Sequence, residues 1–214
     1  MQDLNLTFRK IVNERRKELT LIGVTILSTI ILIIGFTYIP STVGGDTSVP
    51  EEFVSARIRA GEAAERISDI ADTYKDGVEQ VADADRSGNY TLGLNLIIEE
   101  IEKNEEVRLT AEDLAEELNE MAKYMNVIGP EKAKTTALRA VTTGIELVQH
   151  LISYNNYTRD LLNTLRVRLA SGGNEETRLE IEQLIASMNA EADIINRLGS
   201  EYRGLMVQFD GLTE

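Results

Sequence analysis

Apolar residues recur every three or four positions along four long stretches of the chain, and charged residues fill the positions between them. In the first stretch the seam runs through Phe53, Ala56, Ala60, Ala63, Ile67, Ile70, Tyr74, Gly77/Val78 and Val81. That spacing keeps one face of an α-helix apolar over many turns, as in a coiled coil. Pro50 suits a helix start, Glu51 and Glu52 complement its dipole, and Ser87-Gly88-Asn89 ends it. A second helix is predicted from about Leu92 to Val127, with a slip in register between Ile101 and Val107. Thr110 with Asp113 has the form of a fresh capping box, so a kink or short break is predicted near residues 104–109. Gly129-Pro130 separates this stretch from a third, about Glu131–Ala170, with Val141, Gly144, Val148, Leu151 and Leu162 in its seam. Ser171-Gly-Gly-Asn174 is a stop followed by an N-cap, and a fourth seam runs from Ile181 to Phe209.

Four helices of similar length joined by short turns make sequential helices antiparallel neighbours. The expected fold class is all-α: an antiparallel four-helix, up-down-up-down bundle over residues 51–214 with coiled-coil-like packing. A dimeric coiled coil of helical hairpins is the alternative that the same seams support.

One stretch breaks this pattern. Residues 19–39, LTLIGVTILSTIILIIGFTYI, form a run of 21 positions without a charge. As a helix it spans roughly 31 Å, against a hydrocarbon core of roughly 30 Å. Its threonine and serine hydroxyls can bond back to carbonyls one turn earlier, and Tyr38 suits an interface. The run therefore reads as a transmembrane helix. The basic residues Arg9, Lys10, Arg15, Arg16 and Lys17 all precede it, which assigns residues 1–18 to the cytoplasm and the bundle to the extracytoplasmic side. Residues 40–50, PSTVGGDTSVP, are a linker of turn residues. A cleaved signal peptide is the competing reading; the apolar stretch is long for one, and Thr42-Val43-Gly44 is a mediocre cleavage site. Glu18-Leu-Thr-Leu-Ile-Gly23 superficially resembles a type IV pilin processing site, but its glutamate and glycine stand in each other's places, and that family is not carried over.

Charge narrows the partners. Residues 1–40 carry +2, which leaves −16 for residues 41–214 out of a total of −14. A surface that acidic repels nucleic acid and anionic headgroups, so no nucleic-acid partner is expected. The chain has no cysteine, which removes disulfides, thiolate metal sites and cysteine nucleophiles together.

Few residues carry candidate chemistry. Asp83, Asp85, Ser87, Asn89 and Thr91 resemble the start of a calcium-binding EF-hand loop, supplying oxygens at positions 1, 3, 5, 7 and 9 around Gly88. Position 12, where that family has a bidentate glutamate, is Leu94, so calcium would bind weakly; a glycine-terminated helix and turn account for the same residues. Gly88-Asn-Tyr90-Thr-Leu-Gly93-Leu94 is similar to the turn of a tetratricopeptide unit, without a second copy of the 34-residue period. His150, the single histidine, makes an i, i+4 pair with Glu146, too few ligands for a metal. The acidic runs of the second helix, Glu99 to Glu106 and Glu112 to Glu120, read as solvated faces and not as catalytic pairs. Asn89-Tyr-Thr91 and Asn156-Tyr-Thr158 are glycosylation sequons, and Asn155 and Thr158 near Tyr154 sit where polar residues set register. No nucleophile motif, phosphate loop or nucleotide fingerprint occurs, and no enzyme is expected.

The expectation is a single-pass, membrane-anchored module that acts through a protein partner or self-association, as an interaction, scaffold or spacer element of the cell envelope. Two alternatives stand beside it. One is a small-molecule sensor like the four-helix periplasmic modules of chemoreceptors, signalling through a partner because no second span follows. The other is a weak calcium-dependent adhesion or assembly module.

Overall fold

The computed structural model describes residues 49–171 and 175–213. They form four long α-helices: α1 (Glu51–Arg86), α2 (Tyr90–Lys123), α3 (Glu131–Ser171) and α4 (Glu175–Thr213). A single 3-10 turn, Met125–Val127, follows α2. The helices run about 50–60 Å each. The fold is all-helical, and among the described residues there is no strand.

The turn between α1 and α2 shows how the chain reverses. Gly88 adopts φ +68°, a conformation that a side chain would disfavour. The Asn89 N–H then reaches the Ala84 carbonyl at 2.9 Å and the Gly88 N–H reaches that of Asp85 at 3.1 Å, which satisfies the last carbonyls of α1. The Asn89 side chain accepts from the Leu92 N–H at 3.3 Å and opens α2. One residue thus closes one helix and caps the next.

Cross-helix pairs give the direction of every helix. Arg59 meets Glu117 and Tyr74 meets Glu100, so α1 and α2 are antiparallel. Asn104 meets Asn155 and Leu118 lies against Gly144, which reverses α3 against α2. Arg139 meets Glu201 and His150 meets Glu191, which reverses α4 against α3. The circle closes between α1 and α4. The Phe53 and Phe209 rings lie 5.4 Å apart at 51°, and Arg57 holds Asp210 in a bidentate pair at 2.6 and 2.9 Å. Both residues of that pair are mostly buried, so its geometry fixes the end of the bundle more firmly than an exposed pair would. Behind it lies Tyr202, whose hydroxyl burial pushes up to about 12.

The second helix differs from expectation. It runs without a break from Tyr90 to Lys123, and Thr110 is not a cap: its hydroxyl donates to the Glu106 carbonyl one turn back at 2.9 Å. The apparent slip dissolves once two polar residues are counted as core. Ile97, Glu100, Asn104, Val107, Ala111 and Leu114 are all buried, at an unbroken spacing of threes and fours. Glu100 is therefore not on a solvated face, unlike most of the acidic residues around it.

Among the described residues no helix is long and apolar enough to cross a membrane. The run 19–39, the basic residues before it and most of the linker lie outside the described residues.

Candidate interaction face and buried polar layer

In the half nearer the α1–α2 turn the core holds a polar layer. Glu100 is 1 % exposed. Its Oε1 accepts from Lys103 Nζ at 2.7 Å, while Oε2 is buried without a hydrogen-bond partner. The carboxyl fits because Gly77 of α1 lies opposite; a Cβ there would overlap the Glu100 carboxylate. Burial pushes this carboxyl above the ordinary glutamate range, and the Lys103 ammonium opposes the shift. The Tyr74 hydroxyl donates to the Glu100 carbonyl at 3.4 Å, and burial drives that phenol far above its usual range. One helical turn further along, Asn104 and Asn155 bridge α2 and α3, and the Thr158 hydroxyl returns to the Tyr154 carbonyl at 3.0 Å. Apart from Glu100 Oε2 and Asn104 Oδ1, these groups bond to one another and to backbone.

The residues of the EF-hand-like stretch occupy the α1–α2 reversal. Asp83 pairs with Arg86, and the Ser87 hydroxyl donates to the Ala84 carbonyl at 3.1 Å. Asn89 caps α2, Asp85 sits in the last turn of α1, and Thr91 lies exposed in the first turn of α2. Among the described residues no three His, Cys, Asp or Glu side chains gather as a metal site. The single histidine also turns away from its sequence neighbour. His150 Nδ1 lies 2.6 Å from Glu191 Oε2 on α4, an inter-helix pair that local spacing to Glu146 does not reveal. Of the two sequons, Asn89 is exposed and Asn156 half-buried.

The surface is not uniform. Nine large hydrophobic side chains are 46–63 % exposed among the described residues. Seven of them belong to α2, the following turn and α3: Tyr90, Leu92, Ile98 and Leu109 on α2, Val127 in the turn, and Leu138 and Val167 on α3. Only Leu179 and Val207 belong to α4, and none belongs to α1. Partly buried Ile101, Ala115 and Ala122 of α2 and Ile145 and Ile152 of α3 continue the apolar surface inward.

Charge divides the same helices. The α2 helix carries ten acidic and three basic residues, a net of −7, and α1 and α4 each carry −5. The α3 helix has three acidic and six basic residues, a net of +3, and is the one cationic helix of the four. Between Ala140 and Thr158 its acidic and basic residues reduce to Glu146 and the single histidine, His150. Compared with known proteins, the chain matches no family model, no curated protein and no solved structure.

Proposed function

We propose that this chain is a membrane-anchored, extracytoplasmic helical-bundle module that works by binding protein, as an interaction or scaffold element of the cell envelope. The anchor is the uncharged run 19–39, and the basic residues before it keep the N-terminus in the cytoplasm. The observation that carries the binding role is the concentration of exposed large apolar side chains on α2, the following turn and α3. Scattered single hydrophobics need no explanation, whereas their concentration on two neighbouring helices points to a contact surface. Most polar groups of the layer are hydrogen-bonded within it, and we read it as serving register and packing.

Two measurements test this. The chain lacks cysteine, so single cysteines at Asn5 and Asn119 can be probed with a membrane-impermeant maleimide on intact cells. Labelling at 119 alone is expected; labelling at neither or at both overturns the topology. Cross-linking of the tagged full-length chain in its membrane should yield one stoichiometric complex. Leu109→Glu with Leu138→Glu should abolish it, and a complex indifferent to that pair would sink the face.

A further inference from the structure

We infer that the polar layer is a proton site: Glu100 binds a proton on Oε2 and donates it to Asn104 Oδ1, and releases it only by loosening the α1–α2 contact at Gly77. All the groups lie inside one chain, so the inference stands apart from the anchored-module reading.

Two buried oxygens carry the inference. Glu100 and Asn104 are 1 % and 2 % exposed, and they stand one turn apart on α2. Each keeps one buried oxygen without a hydrogen-bond partner, Oε2 in Glu100 and Oδ1 in Asn104. A carboxylate oxygen and an amide oxygen are both acceptors, so neither satisfies the other. One proton on Oε2 turns that oxygen into a donor and removes both deficits together.

Each orientation is set from outside the pair. Asn104 Nδ2 donates to the Asn155 carbonyl on α3 at 3.0 Å, so Oδ1, on the other arm of the amide, turns away from that carbonyl. Glu100 Oε1 accepts from Lys103 Nζ at 2.7 Å, which leaves Oε2 for the proton. Residues four apart share a helix face, and helical side chains lean toward the N-terminus, so Asn104 leans back toward Glu100. Lys103 need not move, because the carbonyl oxygen of a neutral acid still accepts from an ammonium.

The surroundings favour the neutral acid. On α1, Gly77 lies directly against the carboxyl, and the Tyr74 hydroxyl donates to the Glu100 backbone carbonyl at 3.4 Å and not to its side chain. The charged groups that act on the carboxyl are Lys103 and Glu99, both on α2. On α3 the ionisable neighbour is Tyr154, which acts on Tyr74. In this half of the bundle α4 buries Ile181, Ile185, Met188 and Ala192, none of which titrates. Burial raises the proton affinity of Glu100, Lys103 opposes that shift, and Glu99 adds to it. Loss of the proton leaves an anion wedged against Gly77, and it reaches water only as α1 parts from α2.

Infrared difference spectra of the full-length chain in lipid vesicles, taken between pH 4.5 and 7.5, read the site directly, because a protonated carboxyl has its own C=O stretch. One such band should persist after the other acidic side chains have ionised and be absent from Glu100→Gln. Asn104→Leu with Asn155→Leu removes the acceptor. It should move the band to higher frequency and lower the proton affinity about tenfold. If that variant does not fold, Lys103→Met serves in its place; it removes the cation, and the affinity should rise about tenfold. Amide exchange between Ile70 and Ala84, corrected for its intrinsic pH dependence, should rise as the band disappears, and should not do so in Glu100→Gln. Absence of a persistent band, or a midpoint unmoved by the variants, would overturn the proton site. A band that titrates without any change in α1 exchange would overturn the coupling to Gly77.

Discussion

Asn104 and Asn155 exchange hydrogen bonds across the α2–α3 interface: each side-chain amide donates to the other residue's backbone carbonyl, at 3.0 and 2.8 Å. Both residues are buried, and the Asn104 Oδ1 is left without a hydrogen-bond partner. Such a pair contributes little net stability, but it is satisfied in one register only, since sliding either helix separates both donors from their acceptors.

Truncating one member and replacing both should therefore differ. Asn104→Ala is expected to cost about 1–3 kcal/mol in urea unfolding, from a lost hydrogen bond and a cavity. Asn104→Leu with Asn155→Leu should recover most of that loss, because no polar group then lacks a partner. A double variant as unstable as the single one would show that the pair contributes more than register.

Glu100 makes stability depend on pH in a direction opposite to the usual acid response. Its folded-state pKa lies above the ordinary glutamate value, so between the two the folded state holds more proton than the unfolded one. The contribution of this carboxyl is thus best at low pH and declines as pH rises through the folded pKa. Glu100→Gln removes the titration and should be more stable than the parent at pH 7 by about 1 kcal/mol or more. Melting temperatures of both proteins measured between pH 4.5 and 7.5 should converge at the acid end. Parallel curves would mean that Glu100 titrates normally.

The same residue marks the limit of what the sequence shows. The four helices are legible because their seams repeat in threes and fours and because Gly88-Asn89 and Gly129-Pro130 interrupt them. The middle of α2 has the sequence signature of a break, a slip after Ile101 and a capping box at Thr110, only while the polar Glu100 and Asn104 are left out of the seam that runs from Ile97 to Val107. Periodicity was the reliable signal there, and polarity the misleading one. The Glu191 partner of His150 stands 41 residues away on another helix, and that pairing needs the register between helices, which local spacing does not contain.

Calcium should have little to bind. Asp83 is engaged by Arg86 and Asn89 by the Leu92 N–H, and the twelfth position of the EF-hand-like stretch is Leu94. Calorimetry with millimolar calcium is expected to show no heat of binding, and the melting temperature should not move. A saturable rise, lost in Asp83→Asn with Asp85→Asn, would restore the adhesion alternative.

Gly204 lies exposed inside α4, and a Cβ there would meet nothing within 4 Å. Glycine in a helix interior costs roughly 0.5–1 kcal/mol relative to alanine. Gly204→Ala should therefore stabilise the bundle by about that amount in urea unfolding. Gly144 is the contrast: its Cβ would stand 3.0 Å from the Leu118 side chain and 3.2 Å from the Tyr202 ring, so Gly144→Ala should destabilise. Opposite signs at the two glycines would separate backbone preference from packing.

Gly77 and Glu100 should behave as one unit. Adding a methyl at Gly77 strikes the buried carboxylate of Glu100, which has Lys103 on one oxygen and protein on every side. The carboxylate can yield only by opening the α1–α2 contact, so Gly77→Ala is expected to cost about 1–3 kcal/mol despite alanine's better helix propensity. In a Glu100→Ala background the obstacle is gone, and the same substitution should become neutral or favourable. The coupling energy from this cycle should reach about 1–3 kcal/mol, the range for residues in direct contact. Additive effects would mean that Glu100 swings out of the core at little cost. The buried carboxylate would then be one of several accessible states, and the pH response of Glu100 should weaken with it.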